Sequence, residues 1–176
     1  NRNTVRPEGR RLCAPGKGDA MRMPDPDASV MGRRDAIVGR LREFVAADGV
    51  IVDEDEMRVY ECDGLTAYRQ LPFIVVLPET TGQVSRILKL CHAEGVKVVP
   101  RGAGTSLSGG ALPLADAVTL GLGKFKRILD VDLDNRCVVA QPGVTNLAIT
   151  DAVKGHGFYY APDPSSQLAC AIAGNI

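Results

Sequence analysis

The apolar positions of the chain form short continuous runs separated by a helical stripe. Phe73–Leu77 is an uninterrupted apolar run, as is typical of a parallel strand that is covered on both faces. Val96–Val99 is a second short run, which Pro100 is expected to end. Between the two runs, apolar residues recur at helical spacing at Val84, Ile87, Leu88 and Cys91. The pattern therefore predicts a β-α-β unit, because a crossover of this length joins parallel strands.

The helix of this unit carries recognisable signals at both ends. Thr80 and Gln83 form the capping-box pattern of a helix start. Gly95 stands where a glycine in the left-handed conformation ends a helix. These signals limit the helix to the residues between them and strengthen the prediction of a β-α-β unit.

The other predicted elements do not continue an even alternation of strands and helices. A helix is predicted over Arg33–Ala47, and a short strand and a loop are predicted over 50–71. After residue 110, the predicted elements are strands at Ala117–Leu120, Arg127–Val131 and Arg136–Gln141, a helix at Val144–Lys154 and a strand at Phe158–Tyr160. This order predicts an α/β (α+β) chain, in which a small parallel β-α-β subdomain precedes part of a mixed or antiparallel sheet.

Three regions are expected along the 176 residues. Residues 1–32 are rich in proline and glycine and show no periodicity, which predicts a disordered leader. Residues 33–71 hold the first helix and a connecting segment, and residues 72–176 hold the main domain. Because Asn1 is not an initiator residue, we expect the chain to be a fragment.

Composition and charge exclude several classes of function. Apolar residues make up 45% of the chain and charged residues 24%, which excludes wholesale disorder. Tryptophan is absent, and residues 35–176 hold seventeen acidic and thirteen basic side chains, which argues against a nucleic-acid-binding face. No apolar run approaches the length of about 18 residues that would span a membrane.

Cysteine and histidine usage predicts reduced thiols and no metal site. The five cysteines are widely spaced without a C-x-x-C motif, and there are only two histidines. This usage is typical of a cytoplasmic protein, and it lacks the ligand spacing of a zinc site.

The residues with the clearest chemical potential are 100–110, P-R-G-A-G-T-S-L-S-G-G, directly after a predicted strand. Glycines allow backbone N–H groups to approach a ligand closely, and successive N–H groups in such a turn bind anions. The hydroxyl groups of Thr105, Ser106 and Ser108 are further donors. A diphosphate is the expected ligand, and a glycine-rich solvent loop without function is the alternative.

The spacing of this loop differs from that of two common phosphate motifs. Leu107 occupies the position of the third glycine of a Rossmann fingerprint. The loop ends in Gly109-Gly110-Ala111, where a Walker A loop would have G-K-[S/T].

Two later segments give the loop a context. Gln141–Val144 is a strand-to-helix turn, and Pro162–Ser166 precedes Ala173-Gly174-Asn175. In this order and spacing, the three segments resemble the FAD-binding domain of the vanillyl-alcohol oxidase and p-cresol methylhydroxylase superfamily. Tyr60–Arg69, Pro100–Leu114 and Tyr159–Gln167 further resemble the D subunits of bacterial glycolate oxidases. The resemblance covers residues 33–176 and implies that the FAD-binding domain over 72–176 is incomplete at its C-terminus.

The resemblance implies a set of cofactor-binding residues. The loop from Arg101 to Gly110 would hold the FAD diphosphate, Pro78 would approach the adenosine end, and Gly143 would lie near the cofactor. The full set is Pro78, Arg101, Gly102, Ala103, Gly104, Thr105, Ser106, Ser108, Gly109, Gly110, Gly143, Pro164, Ser165, Gly174 and Asn175. The last four would lie along the ribityl and isoalloxazine side.

Three positions bear on how FAD would be held. Thr105 aligns with the histidine that tethers the flavin in covalent members of the superfamily, so the FAD is expected to be non-covalent. Ala171 and Ala173 stand where relatives usually have a hydroxyl residue and a glycine. We therefore expect a weakened affinity for FAD.

The implied function is oxidation of glycolate to glyoxylate by transfer of the α-hydrogen to FAD. By the same resemblance, the partners are an iron–sulfur subunit and a second FAD-type subunit, and the protein is cytoplasmic or peripheral at the inner membrane. No catalytic residue is identified, so these groups are expected beyond Ile176 and the 176 residues alone are expected to be inactive. A dehydrogenase of D-lactate or another 2-hydroxy acid and a non-redox nucleotide- or phosphate-binding module are the alternatives.

Overall fold

A four-stranded sheet and a separate two-stranded sheet organise the chain in the computed structural model, which describes residues 23–162 and 165–175. The strands are β1 (Val50–Ile51), β2 (Ile74–Val76), β3 (Lys97–Arg101), β4 (Ala117–Gly121), β5 (Ile128–Asp132) and β6 (Cys137–Ala140). The helices are α1 (Ala28–Met31), α2 (Arg34–Leu41), α3 (Glu54–Met57), α4 (Thr81–Glu94) and α5 (Asn146–Val153). The α/β class predicted from the sequence is confirmed.

Strand β4 is the centre of the larger sheet, whose strand order is β1-β2-β4-β3. It pairs in parallel with β2 on one side and with β3 on the other, so the strands of the predicted β-α-β unit are parallel but not adjacent. All five residues of β4 are buried. Strand β1 adds to the far edge of β2 in the antiparallel direction.

Helix α4 begins and ends where its sequence signals predict. The Thr80 hydroxyl accepts a hydrogen bond from the Gln83 N–H, and the Gln83 side chain accepts one from the Thr80 N–H, each at 3.2 Å. Gly95 ends the helix with φ of 64°. The predicted buried stripe is wrong at Leu88, which is 45% exposed, because Leu90 packs into the core instead.

Strand β3 continues through the proline that was expected to end it. Pro100 pairs with Leu120, and Arg101 pairs with Gly121. This pairing is possible because β3 is an edge strand, where a residue without an N–H removes no bond to a second neighbour.

The first predicted helix is shorter than Arg33–Ala47, since α2 ends at Leu41. The chain turns there, and Val45 and Val50 are buried beyond the turn in the same core as Leu41 and Ile74. Residues on both sides of the predicted boundary at 71 therefore form one hydrophobic core.

Part of the predicted leader is ordered by contacts with the sheet. Helix α1 lies inside the range 1–32, and its Val30 is buried in the main core. The Asp116 carboxylate accepts hydrogen bonds from the Asp27 N–H at 3.0 Å and from the Lys97 ammonium at 2.6 Å. Residues 1–22 of the predicted leader lie outside the described residues.

The second part of the chain is built on an antiparallel hairpin, as expected. Strands β5 and β6 pair in the antiparallel direction, and Arg136 adopts a left-handed φ of 56° at their turn. The predicted strand at Phe158–Tyr160 is wrong. This segment is irregular because the Tyr160 N–H donates to the Thr150 hydroxyl at 3.1 Å rather than to a neighbouring strand.

Within the described residues, no helix combines the length and the apolar character that crossing a membrane requires.

The buried Asp116 gives the fold a pH-dependent contribution. Burial alone would raise the pKa of Asp116, but hydrogen bonds from Lys97 and Asp27 hold it below its ordinary value of 3.8. Its stabilisation is therefore present above that value and is lost as the pH falls through the lower pKa of the folded state. We predict that Asp116→Asn lowers the free energy of unfolding by about 1–2 kcal/mol at pH 7.

The measurement is chemical denaturation of the full-length protein at pH 7 and at a series of pH values that descends below 3.8. The difference between Asp116→Asn and wild type should shrink progressively along this series, because the wild-type carboxylate becomes protonated as the pH falls through its pKa in the folded state. Asp25→Asn, at an exposed position two residues before Asp27, should have little effect at any of these pH values. An Asp116→Asn deficit that stays constant with pH would contradict the prediction.

Candidate functional site

A cleft of about 400 Å³ lies beside the loop that follows strand β3. The loop leaves the carboxyl end of a parallel strand, which is where open α/β sheets bind ligands. Residues 166–175 face it across the cleft. The lining residues that the sequence predicted are Arg101, Gly102, Ala103, Gly104, Thr105, Ser106, Gly110, Gly174 and Asn175. The structure therefore brings the first and third predicted segments together.

The remaining predicted site residues do not line this cleft. Pro78 is fully buried, and Pro164 lies outside the described residues. The others that stand away from the lining are Ser108, Gly109, Gly143 and Ser165. Pro142, next to Gly143, and Ser166, next to Ser165, line the cleft instead. The other lining residues that were not predicted are Pro100, Ala111, Leu122, Cys170, Ala171 and Ala173.

Several backbone N–H groups of the loop remain available to a ligand. Among the described residues, none accepts a hydrogen bond from the N–H of Ala103, Gly104 or Thr105. The Ser106 hydroxyl accepts bonds from the Ser108 N–H at 3.3 Å and the Gly110 N–H at 3.2 Å, which closes the loop on itself. Unpaired N–H groups in a glycine-rich turn are suited to an anion, so the loop fits a diphosphate.

The glycines of the site serve different purposes. Gly104 has φ of 75°, and a Cβ there would overlap the Arg101 guanidinium. Gly109 has a similar φ of 76° but opens onto free space. A Cβ at Gly143 would lie 2.7 Å from the carbonyl oxygens of Leu122 and Phe125. Gly143 is therefore required by close backbone packing within the protein.

The Arg101 side chain is directed into the protein beneath the loop. Only 8% of the residue is exposed, and its Nη1 donates to the carbonyl oxygen of Cys62 at 2.8 Å and to that of Ala111 at 3.2 Å. The guanidinium also lies over the Tyr60 ring, 5.6 Å from the ring centroid. Burial lowers the pKa of Arg101, and the nearby Asp63 carboxylate opposes this effect.

Residues 60–65 form the support on which the loop rests. The buried Asp63 carboxylate accepts hydrogen bonds from the Leu65 N–H at 2.9 Å and from the Ala111 N–H at 3.4 Å. A Cβ on Gly64 would lie 2.8 Å from the carbonyl oxygen of Ser106, so only glycine allows this approach. The sequence analysis used this segment only for the family resemblance and missed its structural role. Asp63 directly before Gly64, in a segment without helix or strand periodicity, was the available signal of such a role.

The third segment is anchored by Asn146, another residue that sequence reasoning missed. Its side chain is almost fully buried, accepts a hydrogen bond from the Asn175 amide at 2.8 Å and donates to the Pro162 carbonyl oxygen at 3.3 Å. Thr145 forms an isolated antiparallel bridge with Ala171. Helix α5 therefore fixes one wall of the cleft.

A second cavity of about 380 Å³ lies between the β5–β6 hairpin and residues 158–160. Most of its lining is apolar, including Val131, Val138, Ile149 and Phe158. It lacks the glycine-rich backbone of the first cleft. Among the residues that the structure describes, no group of three His, Cys, Asp or Glu side chains is arranged to hold a metal ion.

A glycine-rich anion-binding loop at the carboxyl end of a parallel strand is the architecture of a nucleotide-binding domain. The chain belongs to the FAD-binding domain family, whose model matches residues 72–176.

Known proteins extend this assignment. The chain is 51% identical over 154 residues to the glycolate oxidase subunit GlcD of Escherichia coli K12, covering 88% of this chain and 30% of that protein. It is 37% identical over 121 residues to a D-lactate dehydrogenase of Archaeoglobus fulgidus, covering 68% of this chain and 27% of that protein. The structure of p-cresol methylhydroxylase with bound substrate superposes with a TM-score of 0.65 at 23% identity, covering 75% of this chain and 26% of that one.

These findings confirm the predicted fold type and FAD as the cofactor of the family. The chain spans about 30% of the length of the GlcD relative. The individual contacts to the cofactor stay predictions.

The two left-handed glycines of the loop give a matched test of the cleft. In the full-length protein, we predict that Gly104→Ala raises the dissociation constant for FAD at least tenfold relative to Gly109→Ala. Both variants place a Cβ at positive φ, but only the one at Gly104 displaces Arg101. A tenfold change corresponds to about 1.4 kcal/mol.

The measurement is titration of the apoprotein with FAD, followed by quenching of flavin fluorescence. Equal affinities of the two alanine variants would show that the space around Gly104 does not matter for binding.

Proposed function

We propose that this chain is the cofactor-binding part of an FAD-dependent 2-hydroxy-acid dehydrogenase that oxidises glycolate to glyoxylate. The observation that carries the proposal is the loop after β3, which lines a cleft opposite the third predicted segment and has N–H groups with no partner within residues 23–162 and 165–175. The 51% identity to a glycolate oxidase subunit supports glycolate as the substrate.

The residues of this chain would bind and orient the cofactor. The N–H groups of Ala103 to Thr105 would face the diphosphate, and the Thr105 hydroxyl would donate a further hydrogen bond. Gly174 and Asn175 line the opposite wall and would lie along the flavin side. When bound, FAD supplies a ring that takes up the α-hydrogen of the substrate with its electron pair.

The proton of the substrate hydroxyl requires a base within hydrogen-bond reach. The cleft lining contains no carboxylate, histidine or lysine side chain among the described residues. We propose that the base and the groups that bind the substrate carboxylate belong to the part of the longer relatives that this chain does not span.

The wider assembly is part of the same proposal. The similar protein of Escherichia coli is described as a subunit, which supports a multi-subunit enzyme. We propose an iron–sulfur subunit and a second FAD-type subunit as partners, and a cytoplasmic location with peripheral attachment to the inner membrane through them.

The substrate is tested by anaerobic reduction of the flavin in the full-length protein. We predict that glycolate bleaches the flavin absorbance at a higher kcat/KM than D-lactate does. A clear preference for D-lactate would favour the second candidate, which the 37% identity to a D-lactate dehydrogenase supports. Absence of flavin from the purified protein, together with no affinity for added FAD, would favour a non-redox phosphate-binding module.

The FAD is predicted to be non-covalent. Thr105 lines the cleft, its side chain has no nitrogen that could bond covalently to the flavin, and both histidines lie outside the lining. Acid precipitation of the full-length holoprotein should leave the flavin in the supernatant. A yellow pellet that keeps its flavin after washing in denaturant would contradict the prediction.

A further inference from the structure

The guanidinium of Arg101 borders the cleft, but one of its nitrogen atoms is already bound to the protein. Its Nη1 already donates to two backbone carbonyl oxygens, those of Cys62 and Ala111. Cys62 precedes strand β3 in the chain, and Ala111 directly follows the last glycine of the loop. The side chain therefore joins both ends of the loop to residues 60–65.

We propose that Arg101 and Asp63 are positioning residues, which hold the backbone of residues 102–111 in the conformation that binds the diphosphate, and that the guanidinium does not itself contact the phosphates. The inference rests on the proposed function, since it takes FAD as the ligand of this cleft. It assigns a role to residues 60–65 that the anion-binding loop by itself does not explain.

The Arg101 contacts extend over more of the side chain than a single charged atom could cover. Nη1 donates to both carbonyl oxygens, while Cζ lies over the Tyr60 ring, 5.6 Å from its centroid. A lysine ammonium is a compact point charge that does not reproduce both contacts with one extended group. Arg101→Lys therefore keeps the charge and removes the positioning.

Asp63 fixes the far end of the loop and balances the buried charge. Its carboxylate receives the Ala111 N–H while it is also held by the Leu65 N–H. An asparagine can keep one of these bonds but carries no charge, which leaves the buried Arg101 uncompensated. Gly64 packs close to the Ser106 carbonyl oxygen, which leaves no space for a side chain between the middle of the loop and residues 60–65.

The test compares Arg101→Lys, Asp63→Asn and the milder Tyr60→Leu in the full-length protein. The matched control is Arg69→Lys, because Arg69 belongs to the neighbouring sequence but forms an exposed ion pair with Glu61. Thermal unfolding of each apoprotein establishes that it is folded. Tyr60→Leu keeps the proposal testable if either charged variant fails to fold.

Two readouts separate positioning from direct contact. The first is the FAD dissociation constant and its dependence on salt concentration. We expect Arg101→Lys to raise the dissociation constant at least tenfold with an unchanged salt dependence, and Arg69→Lys to stay within twofold of wild type. A direct ion contact with the phosphates would keep the affinity of Arg101→Lys close to that of wild type, and that result would overturn the proposal.

The second readout is hydrogen exchange in the apoproteins, measured on peptides that cover residues 106–112. This stretch contains the bonded N–H groups of Ser108, Gly110, Ala111 and Leu112. Faster exchange in the three variants than in Arg69→Lys would support positioning, and equal exchange would overturn it. This readout does not involve FAD, so failure of wild type to bind FAD would refute the proposed function separately.

Discussion

The interaction on which the rest of the site depends is the pair of hydrogen bonds from the buried Arg101 guanidinium to the carbonyl oxygens of Cys62 and Ala111. A buried cation is stabilised by acceptors for its N–H groups and by nearby negative charge. The carbonyl oxygens of Cys62 and Ala111 accept bonds from Nη1, and the Tyr60 ring and the Asp63 carboxylate lie near the guanidinium. The loop is consequently fixed at its two ends, and the N–H groups of Ala103, Gly104 and Thr105 have no hydrogen-bond partner among the described residues.

This arrangement follows from the position of β3 at the edge of the sheet. Arg101 is the last residue of that strand and pairs with Gly121 of β4. The sheet therefore fixes the backbone position from which the Arg101 side chain extends. Strand β4 is buried throughout and is paired along both of its edges, by β2 and by β3. The well-packed centre of the sheet thus provides a rigid base for a loop that has little regular structure of its own.

The sequence predicted the parts of the fold that are encoded locally. Helix α4 could be placed because its capping box and its final glycine lie within the helix ends themselves. The early end of α2 and the continuation of β3 through Pro100 could not be predicted in this way. The first depends on the core that Val45 and Val50 join, and the second depends on β3 lying at the edge of the sheet. For the site, the glycine loop was visible as a motif, whereas the roles of Asp63 and Asn146 depend on partners 48 and 29 residues away along the chain.

Glycine at a site is therefore weak evidence of contact with a ligand until its surroundings are known. Gly104, Gly109 and Gly143 all belong to family-like segments and look equivalent in the sequence. In the structure, Gly104 makes room for Arg101, Gly109 satisfies only a left-handed turn, and Gly143 permits the close approach of two backbone carbonyls. None of these three requirements involves a cofactor atom. Conformation and internal packing alone account for these glycines, so the direct donors to the diphosphate are better sought among the unpaired N–H groups of Ala103, Gly104 and Thr105.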